Sequence, residues 1–157
     1  KTAYEIYQCG VQTCALPISK TLAQMSPQEW ESLCDGCARC CLYKLQDEET
    51  GEIYYTDVVC RLLDTQRCRC TAYHERTVLM PTCLVLNPDL VQQLKWMPKT
   101  CAYRLLAEGK DLEWWHPLLS GDPSTVHEAG ISVRWKTQAE NEVDMDNLED
   151  YIVDWLG

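Results

Sequence analysis

Short helical segments dominate the hydrophobic pattern of this chain. Ser26 and Pro27 are typical of a helix start, and Glu29 completes a capping box, so that Trp30 and Leu33 fall one turn apart on an apolar face. We expect both apolar residues in the core. Three further helices are predicted at 87–95, at 100–108 and from Asp146 onward. The apolar face of the last helix consists of Leu148, Ile152, Trp155 and Leu156.

Two extended segments joined by a turn predict a β-hairpin. The segments are 42–46 and 52–58, and Gly51 lies in the turn between them. A further short strand is predicted at 131–135, whereas 114–130 has the Gly and Pro content of a loop. Together these elements indicate an α-rich α+β fold, a small single domain with a short hairpin and an irregular cysteine-cluster module.

Composition and charge exclude two classes of partner. The 157 residues carry 14 Lys and Arg against 24 Asp and Glu, a formal net charge of −10. Nucleic-acid binding needs an excess of basic residues, so we expect no nucleic-acid partner. No run approaches the roughly 20 apolar residues of a membrane-spanning helix, so we expect no membrane contact. The acidic run at 140–154 is expected to be the solvated face of the last helix.

The first eighteen residues differ in origin from the rest of the chain, as their sequence indicates. Residues 1–6 (KTAYEI) and 10–18 (GVQTCALPI) resemble translated sequencing-adapter sequence, so 1–18 is expected to be non-native, together with Cys9 and Cys14. The single domain is then 19–157, divided by composition into a cysteine module at 34–108 and a cysteine-free part at 109–157. Without a recognisable secretory signal we expect a cytoplasmic protein, in which thiols stay reduced and clustered cysteines bind metal more often than they pair.

One cysteine run has the spacing of a metal site. Cys34, Cys37 and Cys40 are each three residues apart, and Cys41 follows directly, in a C-x-x-C-x-x-C-C pattern. Thiolates at this spacing can reach one cation, and the triplet resembles runs that hold three corners of an iron–sulfur cluster. Neighbouring side chains diverge, so Cys40 and Cys41 are expected to serve different sites, or one of them to be part of the core.

Later cysteines can complete the coordination. They are Cys60, Cys68, Cys70 and Cys83. Arginines interleave with the thiols and can balance the negative charge of a thiolate site, although each is also an ordinary surface residue in kind. These arginines are Arg39, Arg61, Arg67, Arg69 and Arg76.

These motifs resemble the CxxCxxCC family of proposed zinc or iron chelators, also called YkgJ-like. The resemblance is closer still to its bacterial YcgN-like members, and it extends over 30–34, 100–110, 115–118 and 131–134. It implies metal ligation by seven cysteines and leaves Cys68 and Cys101 as either ligands or core residues. The seven are Cys34, Cys37, Cys40, Cys41, Cys60, Cys70 and Cys83.

The sequence therefore predicts a cytoplasmic metal-binding protein with no assigned catalytic residue. The cofactor is an iron–sulfur cluster or zinc, and the triplet spacing favours the cluster. Two alternatives remain: an iron–sulfur redox or modification enzyme, and a structural zinc module that serves protein–protein interaction with an unidentified partner. Nothing in the spacing of His116 or His127 assigns either a ligand or an acid–base role.

Overall fold

The computed structural model describes residues 19–156. The predicted adapter-derived segment at 1–18, with Cys9 and Cys14, lies outside the described residues. The described chain forms two compact units, a helical unit of 19–37 and Leu86–Ser132 and a sheet unit of Ala38–Val85 and 133–156. No helix among these residues is long and apolar enough to cross a membrane. The mixture of short helices and strands confirms the α-rich α+β class.

Five α-helices belong to the helical unit. They are α1 (Pro27–Ser32), α3 (Pro88–Gln93), α4 (Ala102–Ala107), α5 (Pro117–Ser120) and α6 (Thr125–Glu128), with a 3₁₀ turn at Leu22–Gln24. The predicted capping box is present at α1: Glu29 N–H donates to Ser26 Oγ, and the Glu29 carboxylate accepts from Ser26 N–H. The side chain of Asn87 caps α3 by accepting from Leu90 N–H. Helices α3 and α4 are each shorter than predicted.

The core of the helical unit forms where α1 meets α4. Leu33 is fully buried at the end of α1. The rings of Trp30 and Tyr103 lie 4.7 Å apart, and the Tyr103 hydroxyl donates to the Trp30 carbonyl. The predicted core positions Trp30 and Leu33 are thus confirmed, since both pack in this cluster.

The sheet unit contains five strands and one α-helix. They are β1 (Leu42–Gln46), β2 (Ile53–Val59), β3 (Leu63–Asp64), β4 (Arg69–Cys70), β5 (Gln138–Ala139) and α2 (Arg76–Leu79). The predicted hairpin is confirmed: β1 and β2 pair antiparallel, and Gly51 has a φ of +72° in the turn. Strand β5 adds to β2 in parallel, and β3 pairs with β4. Four 3₁₀ turns complete the unit, at Arg39–Cys41, Tyr73–Glu75, Glu140–Glu142 and Met145–Tyr151.

Three local predictions are wrong. The segment expected to be a loop, 114–130, contains α5 and α6. The expected strand at 131–135 does not form, because Trp135 adopts a left-handed φ of +65° that ends any extended run. The expected last helix is a 3₁₀ segment, Met145–Tyr151, interrupted by non-helical Asn147. Ile152, the residue after this segment, is extended and forms an antiparallel bridge with Thr56 of β2.

Candidate metal centre

The C-x-x-C-x-x-C-C run is an irregular loop that begins where α1 ends. Gly36 and Ala38 both have left-handed backbones, with φ values of +77° and +60°, and the Asp35 carboxylate accepts from Cys37 N–H at 3.0 Å. The boundary between the two units falls immediately after Cys37. Cys34 and Cys37 therefore belong to the helical unit, and Cys40 and Cys41 belong to the sheet unit.

Trp115 and His116 hold the first half of this loop. The Trp115 indole N–H donates to the Asp35 carboxylate at 3.4 Å. His116 Nδ1 accepts from Leu118 N–H at 3.0 Å, so Nε2 carries the proton and donates to the Leu33 carbonyl at 2.8 Å. Both ring nitrogens are thus occupied by the backbone, and His116 has a structural role.

Burial fixes the charge state of His116. Its side chain is 2% exposed, and this burial lowers its pKa below the usual 6.5, although the Leu33 carbonyl and the Asp35 carboxylate oppose the shift. His116 is accordingly neutral in the folded protein. The other candidate histidine, His127, bonds to a side chain: its Nδ1 shares a hydrogen bond with the Ser132 hydroxyl.

Five cysteines gather in the sheet unit, and we call them the thiol cluster. They are Cys40, Cys41, Cys60, Cys70 and Cys83. The thiols of Cys40 and Cys41 share a hydrogen bond, and Cys41 lies within electrostatic range of Cys60. Cys60 N–H donates to the Cys41 carbonyl at 3.2 Å, and Cys60 is also within electrostatic range of Cys70 and Cys83. Cys60 is thus the member that neighbours most of the others.

The environment of these thiols disfavours thiolates in the absence of a metal. The hydrogen bond with Cys40, and then burial, raises the pKa of Cys41 far above its usual range. Burial also raises the pKa of Cys60, while the Leu62 N–H that donates to its sulfur opposes the shift. Nearby negative charge, first that of Glu140, raises the pKa of Cys60 further. A cation bound at the cluster would reverse this preference.

Two cationic side chains position the cluster. Lys44, in β1, donates to the carbonyls of Arg39, Cys40 and Leu42 at 3.3, 3.1 and 2.6 Å, which fixes the turn that carries Cys40 and Cys41. The Arg61 guanidinium donates to the Leu79 carbonyl at 3.0 Å and to the Met80 sulfur at 2.7 Å.

Lys44 was not identified from the sequence, although its position three residues after Cys41 is a signal that could have indicated it.

Met80, which accepts from Arg61 through its sulfur, also accepts from Cys83 N–H through its carbonyl. Through this chain of contacts, Arg61 ties the Cys60 turn to the segment that carries Cys83.

The remaining arginines divide between the surface and the interior. Arg39 is buried, whereas the Arg67 side chain is 84% exposed and lies 4.0 Å from Asp64. Arg76 stacks on the Tyr73 ring at 4.0 Å. Arg61 contacts the segment that leads to Cys83.

Four predicted cysteines are not members of the thiol cluster. Cys34 is exposed and Cys37 is buried against Trp115 and Val126, both cysteines in the helical unit. Cys68 is buried in the hydrophobic core of the sheet unit. Cys101 precedes α4 and packs against the core of the helical unit.

The donors fit zinc or an iron–sulfur cluster in kind and in number. Thiolate sulfur is the preferred ligand of both, and each is held by four protein ligands. Across residues 19–156, however, no three His, Cys, Asp or Glu side chains are arranged so that they could hold a metal ion. A complete coordination shell therefore requires the thiols to move toward a common point.

Comparison with known proteins identifies the family. Residues 33–102 match the family model described as "CxxCxxCC: Putative zinc- or iron-chelating domain". A UPF0260 protein of Cellvibrio japonicus is 59% identical over 138 residues, covering 88% of this chain and 94% of the relative. A UPF0260 protein of Granulibacter bethesdensis is 58% identical over 147 residues, covering 92% and 87%. No solved structure matches the chain. The identity and coverage of these relatives show that the chain belongs to the UPF0260 family of CxxCxxCC proteins.

Proposed function

We propose that this protein binds a thiophilic metal, zinc or iron, through the thiol cluster. One observation carries the proposal: five of the seven cysteines implied by the family resemblance belong to the sheet unit, and Cys60 lies within electrostatic range of Cys41, Cys70 and Cys83. Five thiols exceed the four that either metal centre needs. The proposal also places the protein in the reducing cytosol, where these thiols stay available for metal.

The charges around the cluster support this proposal. Binding a divalent ion to four thiolates leaves a net negative centre, which needs nearby cations or N–H donors. Lys44 supplies a positive charge at the Cys40–Cys41 turn, and Leu62 N–H already donates to Cys60 sulfur. The chain as a whole has a net charge of −10, so a positive charge at this turn is well placed to stabilise an anionic thiolate centre.

The triplet spacing that favours an iron–sulfur cluster includes Cys34 and Cys37, which belong to the helical unit, so the five thiols of the thiol cluster suit either centre in kind. When bound, an iron–sulfur cluster would supply electron transfer, whereas zinc would supply fold stability. Anaerobic purification followed by determination of iron, acid-labile sulfide and zinc separates the two. Visible absorption with stoichiometric iron and sulfide supports the cluster, and a reversible redox change would favour the enzyme alternative. Colourless protein with stoichiometric zinc supports the structural module instead.

Paired cysteine variants test the cluster itself. Cys60→Ala removes the thiol that neighbours most of the others, and we expect at least a tenfold loss of bound metal. Cys68→Ala is the matched control, because Cys68 belongs to the same unit but lies in its hydrophobic core; its metal content should stay at the wild-type level. Circular dichroism is used to check that both variants are folded. Wild-type protein without metal after reconstitution, or equal loss in the two variants, would reject the proposal.

A further inference from the structure

Glu140 lies outside the residues matched by the family model, yet the fold brings it to the thiol cluster. Strands β2 and β5 run parallel, with Val59 paired to Ala139. The residues that follow this pair, Cys60 and Glu140, leave the two strands at the same end. The family match ends at residue 102, so this carboxylate comes from a part of the chain with no assigned role. The sequence-based expectation of a solvated helix face for Glu140 is wrong.

The Glu140 carboxylate contacts two cysteine-bearing segments directly. Oε1 accepts from the backbone N–H of Arg61 at 2.9 Å and lies 3.6 Å from the Arg61 guanidinium. Oε2 accepts from the Tyr43 hydroxyl at 2.5 Å. Arg61 directly follows Cys60, and Tyr43 lies two residues after Cys41. The Glu140 side chain is only 14% exposed, so water competes weakly for these bonds.

A third segment is reached through Arg61. The same guanidinium that lies beside Glu140 donates to the Leu79 carbonyl, in the segment that leads to Cys83. One carboxylate therefore helps to fix the relative positions of the segments carrying Cys41, Cys60 and Cys83. Outer-shell partners of metal ligands typically change metal affinity by about 10–100-fold when they are removed, which sets the scale of the effect expected for this carboxylate.

We propose that Glu140 is a positioning residue of the thiol cluster, through which the C-terminal part of the chain holds the cysteine-bearing segments in register. The inference rests on the proposed metal-binding function, and it adds a requirement for residues beyond the matched domain. Glu140 acts through Tyr43 and Arg61 and is not itself a ligand. Its anchoring role consists of hydrogen bonds to two partners, Arg61 and Tyr43, whereas its charge opposes an anionic metal centre, and the two effects can be separated by substitution.

Three variants separate anchoring from charge. Glu140→Ala removes both. Glu140→Gln removes the charge but keeps an acceptor oxygen for Arg61 N–H and a polar group for the Tyr43 hydroxyl. Glu142→Ala is the matched control, because Glu142 is an exposed residue in the same 3₁₀ turn. Co²⁺ is the metal probe, since its thiolate charge-transfer absorption reports sulfur ligation, and its release to a chelator is followed by stopped flow.

A second readout does not depend on metal. Metal-free, reduced protein is alkylated with iodoacetamide, and the rate at each cysteine is followed by mass spectrometry. Glu140→Ala should speed alkylation of Cys60 and Cys83 at least threefold relative to Glu140→Gln, which loses the same charge and so corrects for its effect on the thiolate fraction. Cys68, which is buried in the core of the same unit, should stay protected, because its exposure would report general unfolding.

The expected pattern is specific. Glu140→Ala should release Co²⁺ about 10–100-fold faster than wild type, while Glu140→Gln and Glu142→Ala remain within about threefold. Unchanged release and alkylation in Glu140→Ala, equal effects in Glu142→Ala, or exposure of Cys68 together with Cys60 would each overturn the inference. If wild type binds no Co²⁺ but Glu140→Ala selectively exposes Cys60 and Cys83, the positioning role stands and the metal-binding proposal fails.

Discussion

Replacing His116 by alanine should destabilise the protein by about 2–6 kcal/mol. The ring is 2% exposed and pairs with two backbone groups, the Leu33 carbonyl at 2.8 Å and Leu118 N–H at 3.0 Å. Each buried group left without a partner costs about 1–3 kcal/mol, and the second bond is also the side-chain cap of α5. Since a typical domain is stable by about 5–15 kcal/mol, the loss would be a large fraction of the total.

Urea unfolding followed by circular dichroism measures this loss. His116→Asn is an informative second variant, because a shorter amide can still cap Leu118 N–H while it no longer reaches Leu33. We expect its stability to fall between those of wild type and His116→Ala. His127→Ala serves as control, with an expected loss of about 1 kcal/mol from its bond to Ser132. An unfolding free energy for His116→Ala within 0.5 kcal/mol of wild type, a margin of about the size expected for surface substitutions, would refute the reasoning.

The same ring predicts a pH dependence. Because burial lowers the pKa of folded His116 below 6.5, the unfolded chain takes up a proton first as the pH falls. The stabilisation is therefore complete above pH 6.5 and declines below it, with a slope approaching about 1.4 kcal/mol per pH unit. The difference in stability between wild type and His116→Ala should shrink from pH 7.5 to pH 5.5. A difference that stays constant or grows on acidification would contradict a buried neutral imidazole.

Two further predictions concern single side chains that hold a backbone segment. Lys44→Met should cost about 1–3 kcal/mol in urea unfolding, because it removes a charged donor from three carbonyls of the Cys40–Cys41 turn, while exposed Lys99→Met should change stability by less than about 0.5 kcal/mol. Ser26→Ala should cost about 1 kcal/mol through loss of the α1 cap, and Ser26→Asp should restore most of it; equal stability of Ser26→Ala and wild type would contradict the capping role.

Local signals in the sequence predicted local structure well. The α1 capping box joins residues only three apart, and the β1–β2 hairpin closes around one glycine turn. Such patterns are readable because the interacting groups are near neighbours in the chain. The failed strand at 131–135 shows the limit: Ile131, Val133 and Trp135 alternate as a strand would, but the left-handed backbone of Trp135 has no signal in residue type.

The candidate site shows the same division on a larger scale. The spacing of the cysteines indicated thiol chemistry, but spacing does not say which thiols meet. Cys37 and Cys40 are close in sequence but belong to different units. Cys60 and Cys83 are far apart in sequence but lie within electrostatic range of each other. Tyr43 and Glu140, 97 residues apart, form a bond that no sequence motif indicates. Tertiary folding alone makes these contacts.

The unfinished coordination shell suggests how metal binding and folding are linked. The segments that carry Cys60, Cys70 and Cys83 are turns and two-residue strands, which have few backbone hydrogen bonds to lose when they move. Structural zinc sites contribute about 10–16 kcal/mol of apparent binding free energy, which can offset the rearrangement of a few residues at about 1–2 kcal/mol each. Closing the shell should therefore rearrange the turns that carry these cysteines, and metal affinity should depend on every contact that already holds them near their bound positions. The bonds of Arg61 to Leu79 and of Glu140 to Tyr43 are contacts of this kind.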